Sequence, residues 1–164
     1  MPGDLLKIRD LSVFFPSPDG PRPAVSNVSF TVPDKRWVCL VGESGCGKTV
    51  TALSLTRLLT GAQVTGSVVW HDEGKTKELL TLPEAELRRI RGKDISYIFQ
   101  DPHHSLNPVM TVGEQMVETY RTHHPKSGEA EAQKASMISL AEARLSEPRR
   151  VFQSFAHELS GGMK

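Results

Sequence analysis

One glycine-rich stretch, LVGESGCGKT at residues 40–49, constrains the fold of this chain more than any other part of its sequence. It satisfies the pattern G-x-x-x-x-G-K-[ST], in which glycines precede a lysine and a hydroxyl residue. The apolar run WVCLV at 37–41 leads into it, and apolar residues recur at helical spacing from Lys48 to Leu59. A strand, a loop and a helix in this order predict a phosphate-binding loop in an α/β protein, with the strand buried on both faces.

Each residue type in this loop suits the binding of a polyphosphate. Glycines let the backbone adopt positive φ and approach the phosphates closely, so that successive N–H groups form an anion-binding nest. Lys48 would place its charge near the β- and γ-phosphates, and the Thr49 hydroxyl would ligate Mg²⁺. The alternative is a glycine-rich turn with a chance lysine, which the flanking strand and helix signals disfavour. The predicted ATP-binding residues of the loop are Gly42, Glu43, Ser44, Gly45, Cys46, Gly47, Lys48 and Thr49.

Strand and helix signals follow one another along the rest of the chain. NVSFTV alternates between apolar and polar residues, which predicts a strand with Val28, Phe30 and Val32 facing inward. SVVW, HDEGK and KELL predict a small antiparallel insertion, and Gly61 is the expected end of the helix after the loop. The predicted strands are 5–15, 27–32 and 94–100, and the further predicted helices are 83–90, 111–121 and 128–145.

Composition and charge disfavour several other classes of protein. The 20 Lys and Arg against 19 Asp and Glu give a net charge of +1, which offers no support for a nucleic-acid surface. The 2 cysteines make no disulfide framework, so a reducing compartment is the simpler interpretation. The first residues lack the apolar core of a signal peptide, and no stretch has the length of a membrane span. If the protein works at a membrane, we expect other subunits to hold it there.

Two further motifs distinguish among the families that carry such a loop. ELSGGMK at 158–164 resembles the signature of the ATP-binding cassette (ABC) family, and YIFQDP at 97–102 matches the Q-loop of that family. The longer stretches LVGESGCGKTVTALSLTRLL, LRRIRGKDISYIFQDPHHSLNP and HELSGGMK resemble its peptide and nickel importer branch, the dipeptide and oligopeptide permease ATPases. The chain departs from the family at PDKRW, where a Gly-Glu pair is usual, and at Met163, where most members have glutamine but methionine is usual in this branch.

The resemblance implies a fold and further site residues. Phe15 would stack on adenine, with Phe14 competing for that role and an ordinary core position as the alternative. Gln100 would contact the metal and the attacking water, which makes it the catalytic residue and second metal ligand of this chain. The signature residues Ser160, Gly161 and Gly162 would act on the nucleotide of a second subunit. The fold would be a partial P-loop NTPase (RecA-like) core at 5–62, an antiparallel β subdomain at 63–100 and part of a helical subdomain at 101–164.

The resemblance also implies cofactors, partners and a location. The cofactors would be ATP and Mg²⁺. The partners would be transmembrane permease subunits, a second ABC ATP-binding subunit of the same or another sequence and, indirectly, a solute-binding protein, with no nucleic acid. The protein would be cytoplasmic and peripheral on the inner face of the cell membrane.

The family's catalytic acids and its switch histidine lie downstream of the signature, and this sequence ends at Lys164. Asp72-Glu73 resembles the acidic strand end, but His71 interrupts the apolar run and the order along the chain is wrong, so we expect a hairpin tip there. Too few residues follow Ser160 for a helix to begin at the signature. Three functions stay open: an importer ATPase subunit, a non-catalytic nucleotide- or permease-binding fragment and another P-loop enzyme such as a small-molecule kinase.

Overall fold

The computed structural model describes residues 3–72, 74–100, 105–160 and 162–163, with Asp72 described by its backbone alone. The chain divides into two compact units, Met1–Arg91 and Gly92–Lys164. The first unit contains β1 (Asp4–Phe15), β2 (Arg22–Pro33), α1 (Lys48–Ser54), β3 (Gln63–Asp72), β4 (Lys75–Glu78) and α2 (Glu84–Ile90). The second contains α3 (Val112–His123), α4 (Glu129–Glu142), α5 (Pro148–Gln153) and a short 3₁₀ helix at Ala156–Glu158.

The first unit is built on an antiparallel sheet with the strand order β2-β1-β3-β4. β1 pairs with β2 on one side and β3 on the other, and its inward residues form much of the core. Val28, Phe30 and Val32 are only half-buried because β2 lies at the edge of the sheet. The fully buried side chains on β1 and β3 are Ile8, Leu11, Val13 and Val68. The predicted strands at 5–15 and 27–32 and the antiparallel hairpin are confirmed.

The helix that follows the phosphate-binding loop is shorter than predicted. α1 ends at Ser54 and not at Leu59, and the chain reverses there through two hydrogen bonds, from Arg57 N to Ser54 O (3.1 Å) and from Leu58 N to Leu53 O (3.0 Å). Arg57 takes the left-handed position of this C-terminal cap with φ 54°. The prediction that Gly61 ends the helix is therefore wrong, since a non-glycine residue adopts the left-handed conformation four positions earlier.

The apolar run at 37–41 does not form the predicted strand. These residues belong to no helix or strand, and the side chains of Trp37 and Val41 are 103% and 89% exposed. A strand needs hydrogen-bonding neighbours, and the sheet of this unit is already complete in another order. The run has the apolar composition of a strand that is buried on both faces. The described residues of the first unit pack against neither face of this segment.

The predicted strand at 94–100 is wrong for the same reason. In the second unit this segment makes one tight turn, with Gly92 N donating to Ile95 O (2.9 Å), and then has no regular structure. Ile98 is 102% exposed, so its apolar side chain has no packing partner among the described residues.

The second unit is helical, and its three helices pack around one small core. The helices predicted at 111–121 and 128–145 are confirmed as α3 and α4 with slightly shifted ends. Thr111 and Glu114 form a capping box at the start of α3, which satisfies backbone N–H groups that the helix itself cannot pair. The core residues are Val112, Leu140, Val151 and Leu159.

Candidate functional site

The phosphate-binding loop lies between the sheet and α1, in the first unit. Gly45 and Gly47 have φ of +81° and +96°, the left-handed conformations that the sequence predicts for its glycines. The backbone turns back on itself at Glu43–Cys46, where Cys46 N donates to Glu43 O (3.4 Å). Most residues of the loop are exposed, so a ligand can reach the loop from solvent.

Close packing explains the glycine at position 47 of the loop. A Cβ at Gly47 would lie 2.8 Å from the carbonyl oxygen of Ala24 and 3.2 Å from a methyl group of Val25, both in β2. A Cβ at Gly42 would lie 2.6 Å from Cys46 Sγ, an atom that can move by rotation of its side chain. The sequence pattern therefore has a steric reason at Gly47, since a side chain there would push the loop away from the sheet.

The side chain of Lys48 folds back over the loop. Its Nζ donates to the carbonyl oxygens of Gly42 (2.7 Å) and Glu43 (2.6 Å) and lies 3.5 Å from Cys46 Sγ. These contacts hold the ammonium group against the loop backbone, where it adds its charge to the exposed N–H groups. Such an arrangement of one cation and several backbone donors suits a phosphate group.

Thr49 follows the lysine and is exposed on the first turn of α1. Its hydroxyl makes no hydrogen bond to any other described residue, so it is available to a ligand. A hydroxyl beside a phosphate cradle fits one position in the coordination shell of Mg²⁺, whose other ligands would be phosphate oxygens and water. Within the described ranges, no group of three or more His, Cys, Asp or Glu side chains could hold a metal ion.

The end of β1 pairs with β2, the strand against which Gly47 of the loop packs. Phe15 pairs with Arg22, and Val13 pairs with Val25, whose side chain would meet a Cβ at Gly47. Alternate residues of a strand share a face, so Phe15 lies on the same face as Val13 whereas Phe14 lies on the other. The role of Phe15 in stacking on adenine, with Phe14 as the competing residue, stays a prediction.

Gln100 and the signature residues lie in the second unit. Gln100 is exposed, and its side chain makes no hydrogen bond within the described part of the chain. Ser160 is exposed beyond the 3₁₀ helix, and its carbonyl oxygen accepts from Met163 N (2.9 Å), so a single turn forms and no helix begins at Ser160 in the residues described. Gly162 is exposed as well, and Gly161 lies outside the described residues.

Of the acidic pair at 72–73, Asp72 lies at a hairpin, as the sequence predicts. Asp72 is the last residue of β3 and pairs with Lys75 of β4, while Glu73 lies outside the described residues. The Thr76 hydroxyl and His71 Nδ1 are 3.3 Å apart across this hairpin.

Sequence reasoning missed a polar cluster at the other end of α1. Arg91 contacts the last carbonyl groups of the turn after α1 and also Glu84 at the start of α2. LRRIRG carries three arginines within five residues, and neither charge nor spacing distinguishes Arg91 from Arg88 and Arg89. The first signal that separates them is burial, because Arg91 is half-buried whereas the other two are exposed.

Comparison of the sequence with known proteins identifies the family to which it is similar. The profile of the family described as "ABC transporter" matches residues 25–164. The oligopeptide transport ATP-binding protein OppD of Salmonella typhimurium is 42% identical over 98% of this chain and 47% of its own length. The peptidoglycan transport ATP-binding protein YejF of Agrobacterium fabrum is 42% identical over 98% of this chain and 29% of its own length. The chain thus spans about half or less of the curated relatives that it matches.

A solved structure confirms the fold class. The ATP-binding cassette MJ0796, in a dimeric post-hydrolysis state bound to ADP and Pi, superimposes with a TM-score of 0.75 over 96% of this chain and 64% of that one. Its sequence is 21% identical, so the likeness concerns the fold. The predicted α/β class with a P-loop NTPase core is confirmed. Among the residues that the structure describes, no helix is both long and apolar enough to span a bilayer.

Proposed function

The chain belongs to the ABC transporter family, and on that premise we propose that it is the N-terminal, nucleotide-binding part of an importer ATPase subunit. The whole protein would couple ATP binding and hydrolysis to the uptake of peptides or a related solute such as nickel. Two relatives are named as oligopeptide and peptidoglycan transport ATP-binding proteins, which supports a peptide-like solute. Because both relatives are 42% identical to this chain, we propose a class of solute and no individual solute.

The observation that carries the proposal is the ammonium group of Lys48, held over the loop by two backbone carbonyls. In the proposed site it binds the β- and γ-phosphates together with the loop backbone, and Thr49 holds Mg²⁺. When bound, Mg²⁺ neutralises phosphate charge and orients the terminal phosphate for attack by water. Phe15 stacks on the adenine, since its half-buried aromatic ring can offer a face to the base.

The remaining predicted residues act beyond the phosphate cradle. Gln100 contacts the metal and the attacking water, and its exposed segment faces the permease subunits. Ser160, Gly161 and Gly162 act on the nucleotide held by a second ABC ATP-binding subunit. A solute-binding protein takes part indirectly, through the permease. The assembled protein is peripheral on the cytoplasmic face of the membrane.

The test is MgATP binding to the purified chain, measured by isothermal titration calorimetry. Lys48→Ala should weaken binding by about tenfold or more, because a charge-assisted hydrogen bond contributes about 1.5–3 kcal/mol. Lys134→Ala is the matched control, since Lys134 is an exposed lysine on α4 and its loss should leave affinity unchanged. Equal affinity in all three proteins would show that the loop does not bind the nucleotide.

A second candidate function is non-catalytic nucleotide or permease binding by this chain. It is favoured by the position of Asp72, which ends the first strand of a hairpin and pairs there with Lys75. A phosphate-release assay distinguishes the two. Turnover that disappears in Lys48→Ala would establish an ATPase, whereas binding without turnover would establish the non-catalytic function.

A further inference from the structure

The outer face of the antiparallel sheet has a groove between β1 and β3. Ile8 of β1 and Val68 of β3 are fully buried in the core, so the residues next to each of them lie on the opposite face of the sheet. The groove has a volume of about 440 Å³, and its lining residues include Asp4, Lys7, Arg9, Ser67, Val69 and His71. It shares no residue with the phosphate-binding loop.

Three basic side chains of this groove follow one another along the sheet. Lys7 pairs with Val69 across the β1–β3 ladder. Arg9 pairs with Ser67, two residues further along each strand, so the Lys7 and Arg9 backbones are about 7 Å apart. His71 is diagonal to Lys7, where residues on neighbouring strands are about 7–8 Å apart. The side chains of all three can therefore reach one small ligand between the two strands.

The two cations of the groove have no acidic partner among the described residues. The side chains of Lys7 and Arg9 make no hydrogen bond or ion pair with any of these residues. Asp4 lines the same groove but forms no ion pair with either cation. The carboxylate of Glu78, on β4, accepts from Ser67 Oγ (2.5 Å). Two like charges side by side repel each other, and an anion between them would relieve that repulsion.

His71 can supply a third hydrogen-bond donor. Its Nδ1 is 3.3 Å from the Thr76 hydroxyl of β4. When this hydroxyl donates to Nδ1, a neutral imidazole has its proton on Nε2 and can donate it to a ligand. His71 and Lys7 are half-buried, whereas Arg9 is exposed, so two of the three donors have their side chains partly fixed by neighbouring residues.

We propose that this groove binds a small phosphate-bearing anion through Lys7, Arg9 and His71. The argument is complementarity of charge and of donors with acceptors. A phosphate group has a charge of about −1.5 to −2 at neutral pH, which balances two cations, and three strong acceptor oxygens, which match three donors. A carboxylate has half that charge and two oxygens, so it fits the groove less well. The site is additional to the proposed nucleotide site and does not depend on it.

Titration of the whole ¹⁵N-labelled chain with inorganic phosphate, followed by NMR, tests this proposal. Chloride replaces phosphate so that ionic strength stays constant, because surface charges respond to salt alone. The amide signals of residues 7, 9, 67, 69 and 71 should shift together and saturate, with a dissociation constant of about 1 mM, since exposed charge pairs each contribute little. The absence of a saturable shift at these amides would overturn the proposal.

Lys7→Gln removes one charge of the groove and keeps an apolar stem of similar shape over its floor. It should weaken phosphate binding by about fivefold, and Lys7→Gln combined with Arg9→Gln should remove saturation. Lys75→Gln is the matched control, since it removes one charge from an exposed lysine of β4 in the same sheet and should bind phosphate as the wild type does. Equal affinity in the double variant and the wild type would reject the groove as the site.

Lys48→Ala separates this groove from the phosphate-binding loop. Shifts that phosphate causes at 42–49 should be lost in this variant, whereas those at the groove should remain. Loss of the groove shifts in Lys48→Ala would show that they report on the loop and would overturn the proposal. Failure of MgATP to bind the loop would leave the groove shifts as expected, so the two proposals fail separately.

Lipid headgroups offer the same phosphate chemistry, and a second measurement distinguishes them from a free anion. The chain is sedimented with vesicles of phosphatidylcholine and phosphatidylglycerol in equal parts. Saturable phosphate shifts without sedimentation support a small anion as the ligand. Sedimentation that is lost in the double variant, with no shift from free phosphate, would assign the groove to a membrane surface and overturn the proposal.

Discussion

Cys46 is placed where its thiol reports on the phosphate-binding loop. It is exposed, its Sγ lies 3.5 Å from Lys48 Nζ, and the turn at Gly42 leaves no room for another side chain beside it. A small residue fits this position without taking part in binding, and nothing in its surroundings suggests a redox role. A nucleotide in the loop would cover the thiol.

MgATP should therefore slow the labelling of Cys46 by maleimide. At a nucleotide concentration ten times the dissociation constant, the expected slowing is about tenfold, since only the free fraction reacts. The measurement uses Cys39→Ser, in which Cys46 is the remaining cysteine of the 2 in the chain, and follows labelling by mass spectrometry. In the matched control, Cys46→Ser, the exposed Cys39 should react at the same rate with and without MgATP. Equal rates for Cys46 would count against ATP in this loop.

Two helices in this protein, α1 and α4, are followed by an arginine in the left-handed conformation. Arg57 after α1 and Arg144 after α4 have φ of 54° and 58°, although glycine is the usual residue there. Arg57 gains hydrogen bonds to Leu80 O and Glu84 that offset its strained backbone. Arg144 is exposed, and Leu145 N closes the reversal by donating to Leu140 O (3.4 Å). Among the described residues, the Arg144 side chain has no hydrogen bonds comparable to those of Arg57. The strain of its left-handed backbone is therefore not offset in that way.

Arg144→Gly should raise the free energy of unfolding by about 0.5–1 kcal/mol, because relief of left-handed strain exceeds the entropy that glycine adds to the unfolded chain. Urea denaturation followed by circular dichroism measures this. Arg149→Gly, within the helical residues of α5, is the control and should lower the free energy of unfolding by about 0.5–1 kcal/mol. A loss of stability in Arg144→Gly would show that its side chain contributes more than its backbone costs.

At the scale of the whole molecule, each unit has apolar side chains that the described residues do not cover. In the first unit they include Trp37 and Val41 in the segment 37–41, next to the phosphate-binding loop, and in the second Ile98 in the segment 95–99, next to Gln100. Exposed apolar segments of this size promote self-association, because contact between copies removes their surface from water. Each segment directly precedes candidate site residues in the sequence, 37–41 the phosphate-binding loop and 95–99 Gln100.

Val41→Glu and Ile98→Glu should each reduce self-association without loss of stability. Substitutions at exposed sites usually change the free energy of unfolding by less than about 0.5 kcal/mol, and these side chains are 89% and 102% exposed. Sedimentation velocity over a range of concentrations measures association, and urea denaturation measures stability. Val68→Glu is the control, because Val68 is 0% exposed and a buried carboxylate should prevent folding. Destabilisation by Val41→Glu as severe as that by Val68→Glu would show that 37–41 is buried.

The sequence by itself determined the local elements and the chemistry of the loop. β1, β2, the β3–β4 hairpin, α3 and α4 follow from alternation, periodicity and capping residues, which act over a few positions. The glycines at 45 and 47 have the conformations that their motif requires, since only local backbone geometry is involved. The family follows from the motifs, and the functions of Gln100, Phe15 and the signature residues stay predictions.

Only the tertiary structure decided which apolar runs are covered and what ends α1. Residues 37–41 and 94–100 have strand composition, but a strand forms only where another chain segment supplies hydrogen bonds, and composition does not reveal whether one does. α1 ends at a left-handed arginine, followed by carbonyls that a guanidinium group reaches from 35 positions away. That cap is a contact between distant residues, so neither Arg57 nor Arg91 carries a sign of it in the sequence around it.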